Sequence, residues 1–107
     1  MTTTLNSDSN SEEIDKIVVT VIGGDRTGIV AGVSQVLAEC EVNIEDMSST
    51  ILHHKNSNLF SMILLGDISN ATVPLKGLKE RLGQKGEELG VHIFVLHEEV
   101  FNFMNRV

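Results

Sequence analysis

Apolar and polar positions along the chain fall into blocks whose periods change from two to about 3.6 and back. Met1 to Glu13 is dominated by Thr, Ser, Asn, Asp and Glu, offers little to bury, and predicts a disordered tail over 1–13, with folding beginning near Ile14. Ile17-Val-Val-Thr-Val-Ile22 is β-branched and apolar on both alternate sets, the pattern of a central strand covered on two sides. From Gly28 to Cys40, the apolar residues Ile29, Val33, Val36, Leu37 and Cys40 share one helical face. Val42 to Leu52 and Leu59 to Gly66 predict two strands, paired as a hairpin through the polar turn His54-Lys-Asn-Ser-Asn58. Pro74 suits the first turn of a second helix, whose buried stripe is Leu75, Leu78, Leu82 and Leu89. Gly77, Gly83 and Gly86 each weaken that helix by about 0.5–1 kcal/mol relative to alanine, and Gly90 is its natural stop. Val91-His-Ile-Phe-Val-Leu96 predicts the last strand.

The order strand, helix, strand, strand, helix, strand predicts an α+β, ferredoxin-like βαββαβ fold. Right-handed crossovers place the first and third strands in the middle of a four-stranded antiparallel sheet, with two helices on one face. One layer of helices accounts for one apolar set per strand, yet the third strand has two. Leu59, Ile63 and Leu65 oppose Phe60, Met62 and Leu64, and in the fourth strand Ile93 and Val95 oppose Phe94 and Leu96. Something has to cover the second face. Residues 98–107 predict a short C-terminal amphipathic helix with Val100, Phe101, Phe103, Met104 and Val107 on its apolar side, able to lie across its own sheet or a partner's. The surplus apolar surface points to a homodimer or a higher oligomer.

Composition narrows the function. With 107 residues and 41% hydrophobic content, the chain holds one small domain, expected over 14–97. Eight basic residues are scattered among fifteen acidic ones, giving a net charge of -7, so no nucleic acid is expected as a direct partner. Apolar runs such as Met62 to Leu65 fall far short of the ~20 residues of a membrane span, and the N-terminus lacks a basic region followed by an apolar core. A soluble cytoplasmic protein with no membrane partner is the expectation. Cys40 is the only cysteine, which excludes an intrachain disulfide and a cysteine-based zinc site within one chain; it reads as a small buried hydrophobe. His53 and His54 are strand neighbours pointing to opposite faces, and His92 and His97 also diverge, so neither metal nor cofactor is expected.

The segment Gly24-Asp-Arg-Thr-Gly-Ile-Val30 joins the first strand to the first helix. Such a junction presents unpaired backbone N–H groups and the positive end of a helix dipole, favouring a carboxylate or phosphate. Asp25 suits either a helix cap or a ligand ammonium, Arg26 either a solvated loop charge or an anion, and Asn43 either a turn backbone or a ligand.

The strand followed by Asp25-Arg26-Thr27-Gly28-Ile29-Val30-Ala31, then Val33-Ser34, Leu37-Ala38 and Val42-Asn43-Ile44, closely resembles the ACT domain, a small regulatory module that binds amino acids. The pattern is similar to the ACT portions of formyltetrahydrofolate deformylase and the glycine cleavage system repressor, and closer still to short stand-alone ACT proteins without assigned function. The resemblance spans roughly Ile17 to Leu96; Thr27 stands where many relatives carry proline. It implies a non-enzymatic regulatory module, homodimeric, binding a small amino acid between subunits and signalling to a partner enzyme or regulator. By the same resemblance, the site consists of Asp25, Arg26, Thr27, Gly28 and Ile29 of one subunit and Asn43, Ile44 and Asp46 of the other. In that arrangement the Gly28 and Ile29 N–H groups hold a carboxylate, Asp25 or Asp46 takes the ammonium, and Asn43 bridges both. The alternative is a small acylphosphatase-like hydrolase on the same fold. That chemistry needs an arginine at the helix start; here Arg26 precedes the helix and Asp25 beside it repels phosphate. RNA binding on such a sheet needs exposed aromatics on the central strands, and only Phe60 is available.

Overall fold

The computed structural model describes residues 15–99. The tail expected over 1–13, the expected start of folding at Ile14 and most of the expected C-terminal helix, residues 100–107, lie outside the described residues. Within them run β1 (Lys16–Gly24), α1 (Ile29–Glu39), β2 (Asn43–His53), β3 (Asn58–Asp67), α2 (Leu75–Leu89) and β4 (Val91–His97). The strands form one antiparallel sheet in the order β2-β3-β1-β4, with β3 and β1 in the middle, as the crossover rule requires. The β2–β3 hairpin closes through His54, whose N–H donates to the Ser57 carbonyl.

The core lies between the sheet and the two helices. Ile17, Val19 and Val21 of β1 and Phe60, Met62 and Leu64 of β3 pack against Ile29, Val33, Val36, Leu37 and Cys40 from the α1 segment and Leu78 and Leu82 of α2. Each such aliphatic side chain, fully buried, contributes roughly 1.5–3 kcal/mol. Phe60 is therefore a core residue, its ring unavailable for base stacking. Cys40 is fully buried, as a small hydrophobe, with an Arg81 guanidinium nitrogen 3.7 Å from its sulfur.

Backbone details refine the helix ends. Pro74 sits at the N-cap of α2 rather than inside its first turn: its backbone is extended, and its carbonyl accepts the first helical bond from Leu78 N–H. Gly90 ends α2 in a left-handed conformation with φ 73°, which a side chain would disfavour. The glycines inside α2 prove unequal. A Cβ on Gly83 would meet nothing within 4 Å, whereas one on Gly86 would lie 2.9 Å from the Val91 carbonyl oxygen and 3.3 Å from Ile93 Cγ1. Gly86 is what lets α2 press onto β4.

The other face of the sheet carries a second apolar set. Register places Leu96, Val18 and Leu65 in one row across β4, β1 and β3, with Phe94, Thr20 and Ile63 in the next. Ile63 is 55% and Phe94 56% exposed, since both helices pack on the opposite side. At the sheet's edge, β2 is exposed at every position.

Candidate functional site

The loop after β1 is held from two sides. Asp25 N–H donates to the Asn58 carbonyl at 3.0 Å, fastening the loop to the start of β3. Arg26 Nη1 donates to the Leu89 carbonyl at 3.1 Å, at the far end of α2. A guanidinium there satisfies a terminal carbonyl and opposes the negative end of the helix dipole. Arg26 is thus a tether between loop and helix end, beyond the solvated charge or anion ligand that its loop position suggests. It is also not at the start of α1, where the hydrolase alternative needs it.

Gly28 occupies the N-cap of α1 with φ 95°, and no side chain caps the helix. The capping role open to Asp25 is therefore not taken: the left-handed turn at Gly28 begins the helix three residues later. The first helical bond runs from Gly32 N–H to Gly28 O, 2.8 Å, so the N–H groups of Ile29, Val30 and Ala31 have no acceptor within the helix. Asp25, Arg26, Thr27 and Gly28 are exposed around this end, while the Ile29 side chain is buried in the core and offers only its backbone.

Asn43 begins β2 at the opposite end of the sheet. It pairs with Asp67, which pairs with Lys16, while the loop leaves β1 at Gly24. At ~3.4 Å per residue, the two places are separated by about 27 Å along the strand direction. One chain does not bring its eight expected site residues together.

Around Asn43 the surface forms a concavity of about 350 Å³ lined also by Ala38, Glu41, Val42 and Asn70. Glu41 has φ 60° and is the sole non-glycine residue with positive φ among the described residues. Its N–H bonds Ala38 O, and Val42 N–H bonds Leu37 O. These two bonds make a Schellman ending of α1, with Glu41 at the position usually held by glycine. Glu41 and Asn70 were not among the residues expected from sequence. Asn70 sits in the connection after β3, and nothing in its local sequence places it beside Asn43.

Ile44 is half-exposed, and the bulge between Ile44 and Asp46 leaves Glu45 as the extra residue of β2. Glu45 pairs with the Lys16 ammonium across β3, and that hydrogen bond raises the Lys16 pKa above its ordinary value. Asp46 lies opposite Leu65, outside the concavity, its carboxylate accepting Met47 N–H at 2.9 Å. Asp67 accepts bonds from the Ser69 hydroxyl and, at 2.8 Å, the Ser69 N–H, which hold its carboxyl below the usual carboxylate range.

Among the described residues no group of three or more His, Cys, Asp or Glu side chains is arranged to hold a metal ion. His53 lies against Asn58, and His97 pairs with Asp15. No helix among those residues is long and apolar enough to cross a membrane.

A family model described as the ACT domain matches residues 15–96. A UPF0237 protein of Methanocaldococcus jannaschii is 54% identical over 94 residues, 88% of this chain and 100% of the relative. Among solved structures, an ACT domain protein from Streptococcus pneumoniae is 33% identical with TM-score 0.69, the match covering 81% of this chain and 93% of that one. A formyltetrahydrofolate deformylase from Pseudomonas syringae is 26% identical with TM-score 0.67, covering 78% of this chain and 28% of the enzyme. The Gly28 loop and the Asn43 concavity fall within the matched residues.

Proposed function

Because the chain belongs to the ACT domain family, we propose that it is a homodimeric cytoplasmic regulatory module, its domain spanning 14–97, which binds a small amino acid at the subunit boundary and signals to a partner. The observation that carries this reading is the separation of two incomplete half-sites at opposite ends of one sheet. One half offers N–H donors at a helix start, suited to a carboxylate; the other offers amide and carboxylate groups around a concavity, suited to an ammonium.

The exposed edge of β2 supplies a way to join them. Antiparallel pairing of two β2 strands about a twofold axis sets Asn43 of one copy beside His53 of the other. His53 pairs with Asn58, whose carbonyl holds Asp25 N–H. The two halves then stand at the same end of a continuous sheet, about 14 Å apart at three strand spacings. Side chains from both sides with an amino acid between them fill such a span. The ligand set is Asp25, Arg26, Thr27, Gly28 and Ile29 from one copy and Asn43, Ile44 and Asp46 from the other, with Glu41 and Asn70 flanking Asn43.

The test is complementation. Calorimetry across the twenty standard amino acids identifies the ligand for the wild-type chain; Asp25→Ala and Asn43→Ala each weaken its binding, and co-refolded mixtures of the two variants regain it. A mixed dimer carries one composite site with both halves intact. Binding unaffected by Asn43→Ala, or not regained in the mixture, overturns the shared site.

A further inference from the structure

Edge pairing through β2 joins two four-stranded sheets into one and leaves the helix-free face of both open. We propose that two such dimers stack through these faces, giving a closed tetramer in which the layers run helices, sheet, sheet, helices. The proposal rests on the β2 pairing of the homodimer proposed above.

The chemistry of the face is the first support. Its middle row runs Ser48, Ile63, Thr20, Phe94 across β2, β3, β1 and β4. Ile63 and Phe94 are more than half exposed there, and Leu96 and Ile22 in the adjoining rows more than one third. Between those adjoining rows the only formal charge is Asp46, on β2. A face that is apolar at its centre and nearly free of charge has the composition of an interface core.

Symmetry is the second support, and it selects the arrangement. A twofold axis along the strands, through the middle of one sheet, does not meet the axis of the β2 pairing; the two together generate an open string of copies. A twofold axis across the strands, along one row, meets the first axis if that row is the one about which β2 pairs. Setting Asn43 beside His53 centres the β2 pairing on Ser48, and Ser48 belongs to the row of Ile63, Thr20 and Phe94. The assembly then closes at four chains. Ile63, Thr20 and Phe94 come to lie against their own counterparts. Off the axis, Leu65 meets Ser61 and Val18 meets Ile22, while Asp46 comes opposite Thr50, whose hydroxyl can donate to it.

Area ties the two pairings together. Four strands at ~4.8 Å and seven residues at ~3.4 Å outline a face of about 450 Å². One chain stacked on one chain buries about 900 Å², less than a specific interface requires. Two faces side by side, which the β2 pairing supplies, bury about 1,800 Å², the size of a standard stable interface.

Charge exchange at position 20 tests this in the full-length chain, read by sedimentation equilibrium with circular dichroism to confirm folding. Wild type is expected as four chains. Thr20→Glu and Thr20→Lys are each expected as two, because position 20 faces its own counterpart and like charges then oppose one another. Mixing the two purified variants is expected to restore four chains, a Glu dimer stacking on a Lys dimer. Phe94→Ser, on the edge strand β4, is likewise expected to halve the mass and serves if the position 20 variants fold poorly. A wild type of two chains, unchanged by Thr20→Glu, overturns the stack and leaves the β2 pairing standing. Single chains in Thr20→Glu remove the β2 pairing and the proposal with it. Four chains in both charge variants, or no recovery on mixing, also overturns the stack.

Discussion

Gly83 and Gly86 lie in the same helix, and helix propensity treats them alike; replacing each with alanine should shift stability in opposite directions. At Gly83, a new Cβ meets nothing within 4 Å, so only the backbone term acts. Alanine there reduces the entropy lost on folding and is expected to stabilise by about 0.5–1 kcal/mol. For a domain of this size that is a rise in Tm of about 3–6 °C. At Gly86 the same gain is opposed by a contact of 2.9 Å with the Val91 carbonyl oxygen, a backbone atom that cannot swing away, and by 3.3 Å to Ile93 Cγ1. Overpacking of this kind costs about 1–3 kcal/mol, leaving a net loss of about 0.5–2 kcal/mol. Urea unfolding of the two variants beside wild type, read at constant m, gives the comparison directly. If Gly86→Ala is as stable as Gly83→Ala, the close approach of α2 to β4 does not constrain the fold and the reasoning is wrong.

Three further outcomes follow from single contacts. Arg26→Ala removes the guanidinium from the Leu89 carbonyl and should lower stability by about 0.5–1 kcal/mol, less at high salt; chemical denaturation at two ionic strengths checks both effects. Glu41→Gly relieves a left-handed side chain and is expected to stabilise by about 1 kcal/mol in a thermal melt, and an unchanged melt would mean the strain is compensated locally. Asp67 has a depressed folded pKa, so its contribution is present above the unfolded value of about 4 and is lost as pH falls through the folded value. The fall in Tm between about pH 4.5 and pH 3 should accordingly be shallower in Asp67→Asn, and equal slopes would count against the Ser69 bonds as the cause.

Much of the fold is written in short-range pattern. The β-branched run of β1, the spacing of Ile29, Val33, Val36 and Leu37, and the opposed apolar sets of β3 each report a local period, and the periods suffice for the element order. Gly90 was legible for the same reason, since a helix stop is local chemistry. What escaped is nonlocal. The partner of Arg26 lies 63 residues away, and no neighbouring residue announces it. Gly86 differs from Gly83 only through β4, a separate element. Glu41 adopts a conformation that its own side chain disfavours, because Leu37 and Val42 are drawn into the core on either side of it. The loop at Gly28 could be picked out as a helix start, but its distance from Asn43 required the sheet register.

That distance has a bearing on how such a protein would behave in a cell. If recognition needs the loop of one copy and the Asn43 end of another, an isolated chain is blind, and ligand affinity becomes a function of how much protein is present. Dilution would silence the response without any change in ligand level. A related chain able to pair through β2 while lacking one half-site would act as a dominant inhibitor, halving the number of composite sites in each mixed pair.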